Sequence, residues 1–180
     1  MKKIISLSFL VAVCASSIFA QTTKNESVYT DLAAIKCKTI ESSDEEAGSY
    51  RGECAGVGGY KLEVLEGDLR QTINVAAPGG KKFELDLWSK VSSGFSQLGN
   101  KAEWRVSRAG KIVKPKALIV RYNANENPEK PEQTTSYLVV IKITKNEICV
   151  TDVIKSSADA NSKARMLADD SANKPCRSEN

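Results

Sequence analysis

The sequence predicts a mainly β (α+β) domain: an antiparallel β-sandwich or half-open barrel of about eight strands, with one C-terminal helix and two disulfides. Three observations predict it. Short runs of period-two alternation recur along the chain, separated by Gly-, Pro- and Asn-containing turns. The period changes to 3.6 only beyond Ser157. Four cysteines, Cys37, Cys54, Cys149 and Cys176, lie outside the apolar N-terminal run, an even count that reads as paired thiols in an oxidising compartment.

The chain opens with Lys2 and Lys3, an apolar run from Ile4 to Ala15, and the small-residue segment Ser16 to Ala20. That pattern predicts a signal peptide over 1–20 with cleavage near Ala20, and hence a periplasmic or secreted protein. The run is shorter than the roughly 20 apolar residues a membrane span needs and lacks a cationic stop on its far side. Cys14 follows Val13, where a lipid-attachment site wants a small residue, so it reads as apolar filler. Residues 21–29 are polar and read as a flexible lead-in. The triplet Asn25-Glu26-Ser27 reads as a chance glycosylation match behind a bacterial type of signal. Residues 30–180 then form a single β-rich domain, with no transmembrane segment in the mature chain.

From Tyr29 to Ile40 a short strand or helical turn leads into Cys37, and Glu41 to Glu46 form a solvated acidic loop. The acidic residues there lack the alternate spacing and glycine-marked turn of a calcium loop. Tyr50 to Cys54 is a strand, and Gly56, Gly58 and Gly59 supply a tight bend. No Gly-Lys-Ser or Gly-Lys-Thr follows them, so they are turn chemistry, not a phosphate loop. Tyr60, Leu62 and Val64 alternate with Lys61 and Glu63; Glu66-Gly67-Asp68 turns the chain; Leu69, Gln71, Ile73 and Val75 then share one face of the return strand.

Phe83, Leu85 and Leu87 predict a strand up to Trp88, followed by an irregular connection over 89–100 that carries Phe95 and Leu98 inward. Ala102, Trp104 and Val106 form one face of the next strand, with Glu103 and Arg105 opposite, and Ala109-Gly110 is a hairpin tip. Over Lys116 to Asn123 both faces carry apolar residues, which predicts cover on both sides. A polar loop holding Pro128 and Pro131 precedes Tyr137 to Ile143, the most apolar strand, expected at the sheet centre. Lys145-Asn146 turns it into Ile148 to Ile154. Ala160, Ala164, Leu167, Ala168 and Ser171 line one face of the helix, with Ser157 or Asp159 as N-cap. This weak apolar face implies a helix held by docking. Pro175-Cys176 ends it.

The four cysteines allow three pairings; proximity favours Cys37 with Cys54 and Cys149 with Cys176. A four-cysteine zinc site is the rival, but no Cys-x-x-Cys pair is present. The 26 basic and 22 acidic residues become 24 and 22 once Lys2 and Lys3 leave, so the mature chain carries about +2 and no basic stripe for nucleic acid.

The sequence contains no histidine. That removes Ser-His-Asp and Cys-His catalysis and imidazole-bound metals, and paired cysteines remove a thiolate nucleophile. Carboxylate pairs such as Glu66 with Asp68, or Glu84 with Asp86, and a Ser-Lys arrangement are what remains for catalysis. A solvated strand face is the simpler reading of both pairs. Asp68 and Arg70 are the candidate ligand or structural residues, Arg70 being placed to pair with Asp68 or with Glu103 across the sheet. Trp88, Phe95, Trp104, Tyr122 and Tyr137 read as core, unless an exposed cluster among them marks a binding face.

Several segments together resemble a family of small uncharacterised exported proteins of Gram-negative bacteria. They are Cys54-Ala-Gly-Val-Gly-Gly-Tyr60, Glu66-Gly-Asp-Leu-Arg70, Glu103-Trp-Arg105, and Cys149 with a closing helix before Cys176. The resemblance spans most of the mature chain and implies a shared fold and a periplasmic location, with no activity to transfer. Members often carry proline after the second cysteine, where this chain has Ala55. The functional expectation is a non-catalytic periplasmic or secreted binding module for an unknown protein or envelope component, an enzyme inhibitor being one form, without a cofactor. The alternatives are a carboxylate-based hydrolase of envelope polysaccharide and a structural envelope accessory protein.

Overall fold

The computed structural model describes residues 25–45, 48–130 and 132–179. The signal-peptide prediction over 1–20 therefore lies outside the described residues. Among those described there are ten strands: β1 (Glu26–Asp31), β2 (Lys38–Ser43), β3 (Ser49–Ala55), β4 (Lys61–Gly67), β5 (Arg70–Ala76), β6 (Lys82–Glu84), β7 (Ser96–Ala109), β8 (Ile112–Ala124), β9 (Thr135–Ile143) and β10 (Ile148–Lys155). A four-residue helix, α1 (Leu87–Lys90), precedes β7, and α2 (Ala160–Asp169) follows β10.

The strands form one open sheet in the order β10-β9-β8-β7-β5-β4-β3-β2, with β1 added to β7 and β6 to β5. Every pairing is antiparallel except β5 with β7, which meet in parallel at the single pair Arg70 and Ser96. With so little ladder joining them, the two halves of the sheet fold over one another in a sandwich-like arrangement. Leu62, Val64, Ile73 and Val75 from β4 and β5 pack in one core with Trp104, Val106, Leu118, Val120, Tyr122, Val139, Ile141 and Val150 from the other half. At its middle, the Trp104 indole N–H donates to Thr30 Oγ1 at 2.9 Å, so the buried ring leaves no polar atom unpaired.

The bend after Cys54 is seated on that tryptophan. A β-carbon on Gly56 would stand 2.8 Å from Trp104 Cζ2, and Gly58 and Gly59 take φ of 64° and 83°. Only glycine meets both demands without strain. Tyr60 then lays its ring 6.0 Å from that of Trp104.

The outer face of β8 and β9 carries Ala117, Ile119, Leu138 and Val140, which pack against Ala160, Ala164 and Ala168 of α2. Both faces of these strands are thus covered, as the run over 116–123 predicts. The disulfides are Cys37–Cys54 and Cys149–Cys176, the pairing that sequence proximity favours.

Several expectations are corrected. Residues 26–29, read as lead-in, belong to β1, which pairs with β7 from Glu26↔Val106 to Asp31↔Lys101. Glu41 to Ser43, read as loop, continue β2. The strand expected up to Trp88 stops at Glu84, because two polar side chains of β5 replace ladder bonds: Asn74 Oδ1 accepts the Leu85 amide and Thr72 Oγ1 that of Leu87. Asp86 between them turns left-handed at φ 45°, and Leu85 and Leu87 are still buried. The irregular connection ends at Ser96, where β7 begins, with Leu98 buried but Phe95 facing outward. Finally, β9 is not central but one strand in from the β10 edge. Its apolar character on both faces comes from α2 lying over it.

Candidate functional site

The β4–β5 hairpin carries Asp68 and Arg70. Gly67 pairs with Arg70, so Asp68 and Leu69 are the two-residue loop, at φ 50° and 57°. This is the twist a tight hairpin prefers, but it is normally supplied by Asn or Gly. The expected turn centre at Gly67 is thus displaced by one residue onto a non-glycine pair. A branched apolar side chain at positive φ costs ~1–2 kcal/mol.

Arg70 fastens this turn to the segment after α1. Its Nε donates to the Ser93 carbonyl at 2.9 Å, Nη1 donates to the Asp68 carbonyl at 3.1 Å, and the guanidinium pairs with the Asp68 carboxylate. The same guanidinium lies 5.0 Å from the centroid of the Phe95 ring. A cation over an aromatic face adds about 0.5–1 kcal/mol at an exposed site. Arg70 therefore pairs with Asp68, as one of its two predicted partners, and not with Glu103.

Residues 92–95 are held from the far side as well. Ser92 O accepts the Tyr122 hydroxyl at 2.9 Å, and Phe95 O accepts the Asn125 amide at 2.8 Å. Gly94 passes so close to the Asn125 carbonyl that a β-carbon would collide with it. Phe95 is consequently fixed by its backbone while its side chain remains 49% exposed, beside Leu69 at 51%.

An open cleft of about 830 Å³ lies here, walled by Arg70, Trp88, Ser92, Phe95, Asn125 and Glu126 among others. A groove of about 450 Å³ shares Phe95 and Asn125 with it and continues past Leu69, Gln71 and Asn123. The indole nitrogen of Trp88 is buried, with no hydrogen-bond partner among the described residues. Glu126 is the acidic group on the wall nearest β9: Tyr137 donates its hydroxyl to it at 2.6 Å. Hydrogen bonds from Tyr137 and Thr135 hold the Glu126 carboxyl below its usual range. Burial and Glu126 together push the Tyr137 phenol up to about 12.

The two carboxylate pairs suggested by the sequence are each split between different surroundings. Glu66 takes a hydrogen bond from Gln71 Nε2 at 2.7 Å and lines the groove, whereas Asp68 is turned to Arg70. Asp86 sits at the start of α1, and Glu84 is exposed on β6. Glu147, Cys149 and Cys176 bring three potential metal donors together, but the sulfurs are joined in the disulfide and Glu147 pairs with Lys142 at 2.5 Å.

Glu103, Trp104 and Arg105 have a structural role that alternation explains. Trp104 enters the core, while its two neighbours face α2. Arg165 of the helix grips Glu103 with Nε at 2.6 Å and Nη2 at 3.1 Å. Arg105 grips Asp169 with Nε at 2.7 Å and Nη2 at 2.8 Å. Ser27 of β1 bridges them, donating to Glu103 and accepting from Arg105, both at 2.5 Å. Burial disfavours the charged Glu103, yet hydrogen bonds from Arg165 and Ser27 outweigh it and keep its carboxyl below the ordinary range. The hydrogen bond to Asp169 raises the Arg105 guanidinium in turn.

Trp88 and Phe95 are the site residues that the core reading missed. The signal was present: both flank Ser89 to Gly94, a Ser- and Gly-rich stretch with no periodicity to bury them. Fold and site together define a small disulfide-bonded β domain with an aromatic and guanidinium cleft at one end. Comparisons with family models, curated proteins and solved structures return no match. Among the described residues no helix is long and apolar enough to cross a membrane.

Proposed function

We propose that this protein is a non-catalytic binding module, exported to the periplasm or secreted after cleavage near Ala20, that recognises a protein or envelope component through the Leu69–Phe95–Trp88 surface. The observation that carries this reading is Leu69. It holds a left-handed backbone at φ 57°, yet 51% of its surface stays in water. The hairpin needs that backbone, but a leucine there adds strain without adding burial, and it is at binding and catalytic sites that such strain clusters. A partner covering Leu69 and Phe95 would supply the missing burial, at about 25 cal/mol per Å² of apolar surface removed from water.

Three further features support the reading. The cleft beside the turn has apolar and polar walls that converge on Phe95. One of its two lining carboxylates, Glu126, accepts hydrogen bonds that hold it below its usual range, where it can meet a cationic or hydrogen-bond-donating partner. The two disulfides suit an oxidising compartment outside the cytosol.

The reading is tested by immobilising the chain and passing a native envelope extract over it. Wild-type protein should retain one stoichiometric partner, and the double variant Leu69→Gly, Phe95→Ser should lose it without a fall in thermal midpoint. A blank from wild-type protein at high load, or equal retention by the variant, would contradict the proposal.

A further inference from the structure

A second pocket lies on the opposite face of the sheet from the main core, and it is independent of the cleft. It encloses about 270 Å³ between β1, β7, β8, β9 and α2. Ile119, Leu138 and Ala164 give it an apolar floor, and Lys101, Arg121 and Arg165 bring three cationic side chains to its walls. Against them stands one lining carboxylate, Glu103.

That carboxylate is fully engaged. Glu103 Oε1 accepts from Ser27 and Arg165, and Oε2 accepts from Arg165 again. Asp31 lies directly across the ladder from Lys101, but its Oδ1 turns back to the Ala33 amide at 2.9 Å. Arg121 gives one Nη to the neutral Ser136 hydroxyl at 2.8 Å. Among the described residues neither Lys101 nor Arg121 has a carboxylate partner. Two positive charges therefore face the pocket uncompensated. Asn161, in the first turn of α2, adds an amide on the helix end whose dipole favours an anion.

Arg121 is also held in place by its surroundings. A β-carbon on Gly99 would stand 2.8 Å from Arg121 Cβ and 3.5 Å from its Cγ and Cδ. The bare glycine on β7 is what lets the arginine stem lie across the strand toward Ser136. A guanidinium and an ammonium converging on one pocket match an oxyanion of the phosphate or sulfate class.

We infer that this pocket binds a phosphate- or sulfate-class oxyanion, free or as a monoester, taken by Lys101 and Arg121. Arg165 is left to hold α2 through Glu103.

The test is titration of the full chain with phenyl phosphate and with inorganic phosphate, followed residue by residue by amide NMR. Phenyl phosphate should shift the signals of Lys101, Arg121 and Asn161 with a Kd on the order of 1 mM, and inorganic phosphate should shift the same signals. The double variant Lys101→Met, Arg121→Met should weaken it at least tenfold. Gly99→Ala should also weaken it, although the net charge is unchanged, because the new methyl displaces the arginine stem. Shifts spread over remote lysines such as Lys36 and Lys145, or affinity untouched by the double variant, would overturn the assignment. Vesicles of phosphatidylcholine with and without phosphatidic acid separate the sources. Retention on the acidic vesicles that the double variant abolishes assigns the oxyanion to a lipid headgroup. Phenyl phosphate binding without vesicle retention assigns it to a soluble monoester.

Discussion

Leu69 and Glu103 show how single residues in this protein serve different ends. At Leu69 the backbone strain of ~1–2 kcal/mol exceeds the ~0.5–1 kcal/mol that glycine loses in chain entropy. Leu69→Gly should therefore stabilise the fold by about 1 kcal/mol in urea unfolding while abolishing partner capture. Destabilisation by that substitution would show that the leucine serves the fold. At Glu103 the folded carboxyl lies below its ordinary value of 4.5. A depressed folded value means that its stabilisation is present above about 4.5 and is lost as pH falls through the folded value. Glu103→Gln should cost ~1–2 kcal/mol at neutral pH, discounted because Arg165 is partly exposed, and should flatten the acid limb of the stability profile. An unchanged acid limb would remove Glu103 from the account.

Among the elements, α2 depends most on its surroundings. Three alanines are its buried contacts, and Asp159 makes no side-chain cap bond to the helix, its carboxylate instead accepting from the Ser157 hydroxyl. The helix is held by two bidentate ion pairs to β7 and by the Cys149–Cys176 link beyond it. Closing 27 residues contributes about 3 kcal/mol in the chain-entropy model. Replacing both cysteines by serine should raise amide exchange over α2 and 170–179 while sparing β4, β5 and β7. Uniform loss of protection would instead mean that helix and sheet unfold as one unit.

At the scale of the whole molecule, what could be read from the sequence was what period and charge type express locally. Alternation at Tyr60 to Val75 and at Ala102 to Val106 located strands correctly, and the change to a 3.6 period located α2. Proximity sufficed for both disulfides because each joins neighbouring segments. What escaped depends on distant residues. β1 is polar and becomes a strand only because β7 offers it an edge. The strand from Phe83 is cut short by Asn74 and Thr72, two side chains on another strand. The Phe95 segment shows only that no periodicity buries it; that Arg70 and Asn125 fix it at the surface depends on residues elsewhere in the chain. Arg70 itself was legible as a turn residue, but the cleft it borders was not, since that cleft exists only where β5 and β7 meet at one residue pair and then diverge.

The most direct measurement is site-specific photo-crosslinking in the native envelope. A crosslinker replacing Phe95 is compared with one replacing Ile112, which is 71% exposed at a different hairpin. Binding through the Leu69–Phe95 surface predicts one discrete adduct from position 95, none from position 112, and loss of the adduct when Leu69→Gly is added. Equal labelling from both positions, or no adduct from position 95, would contradict it.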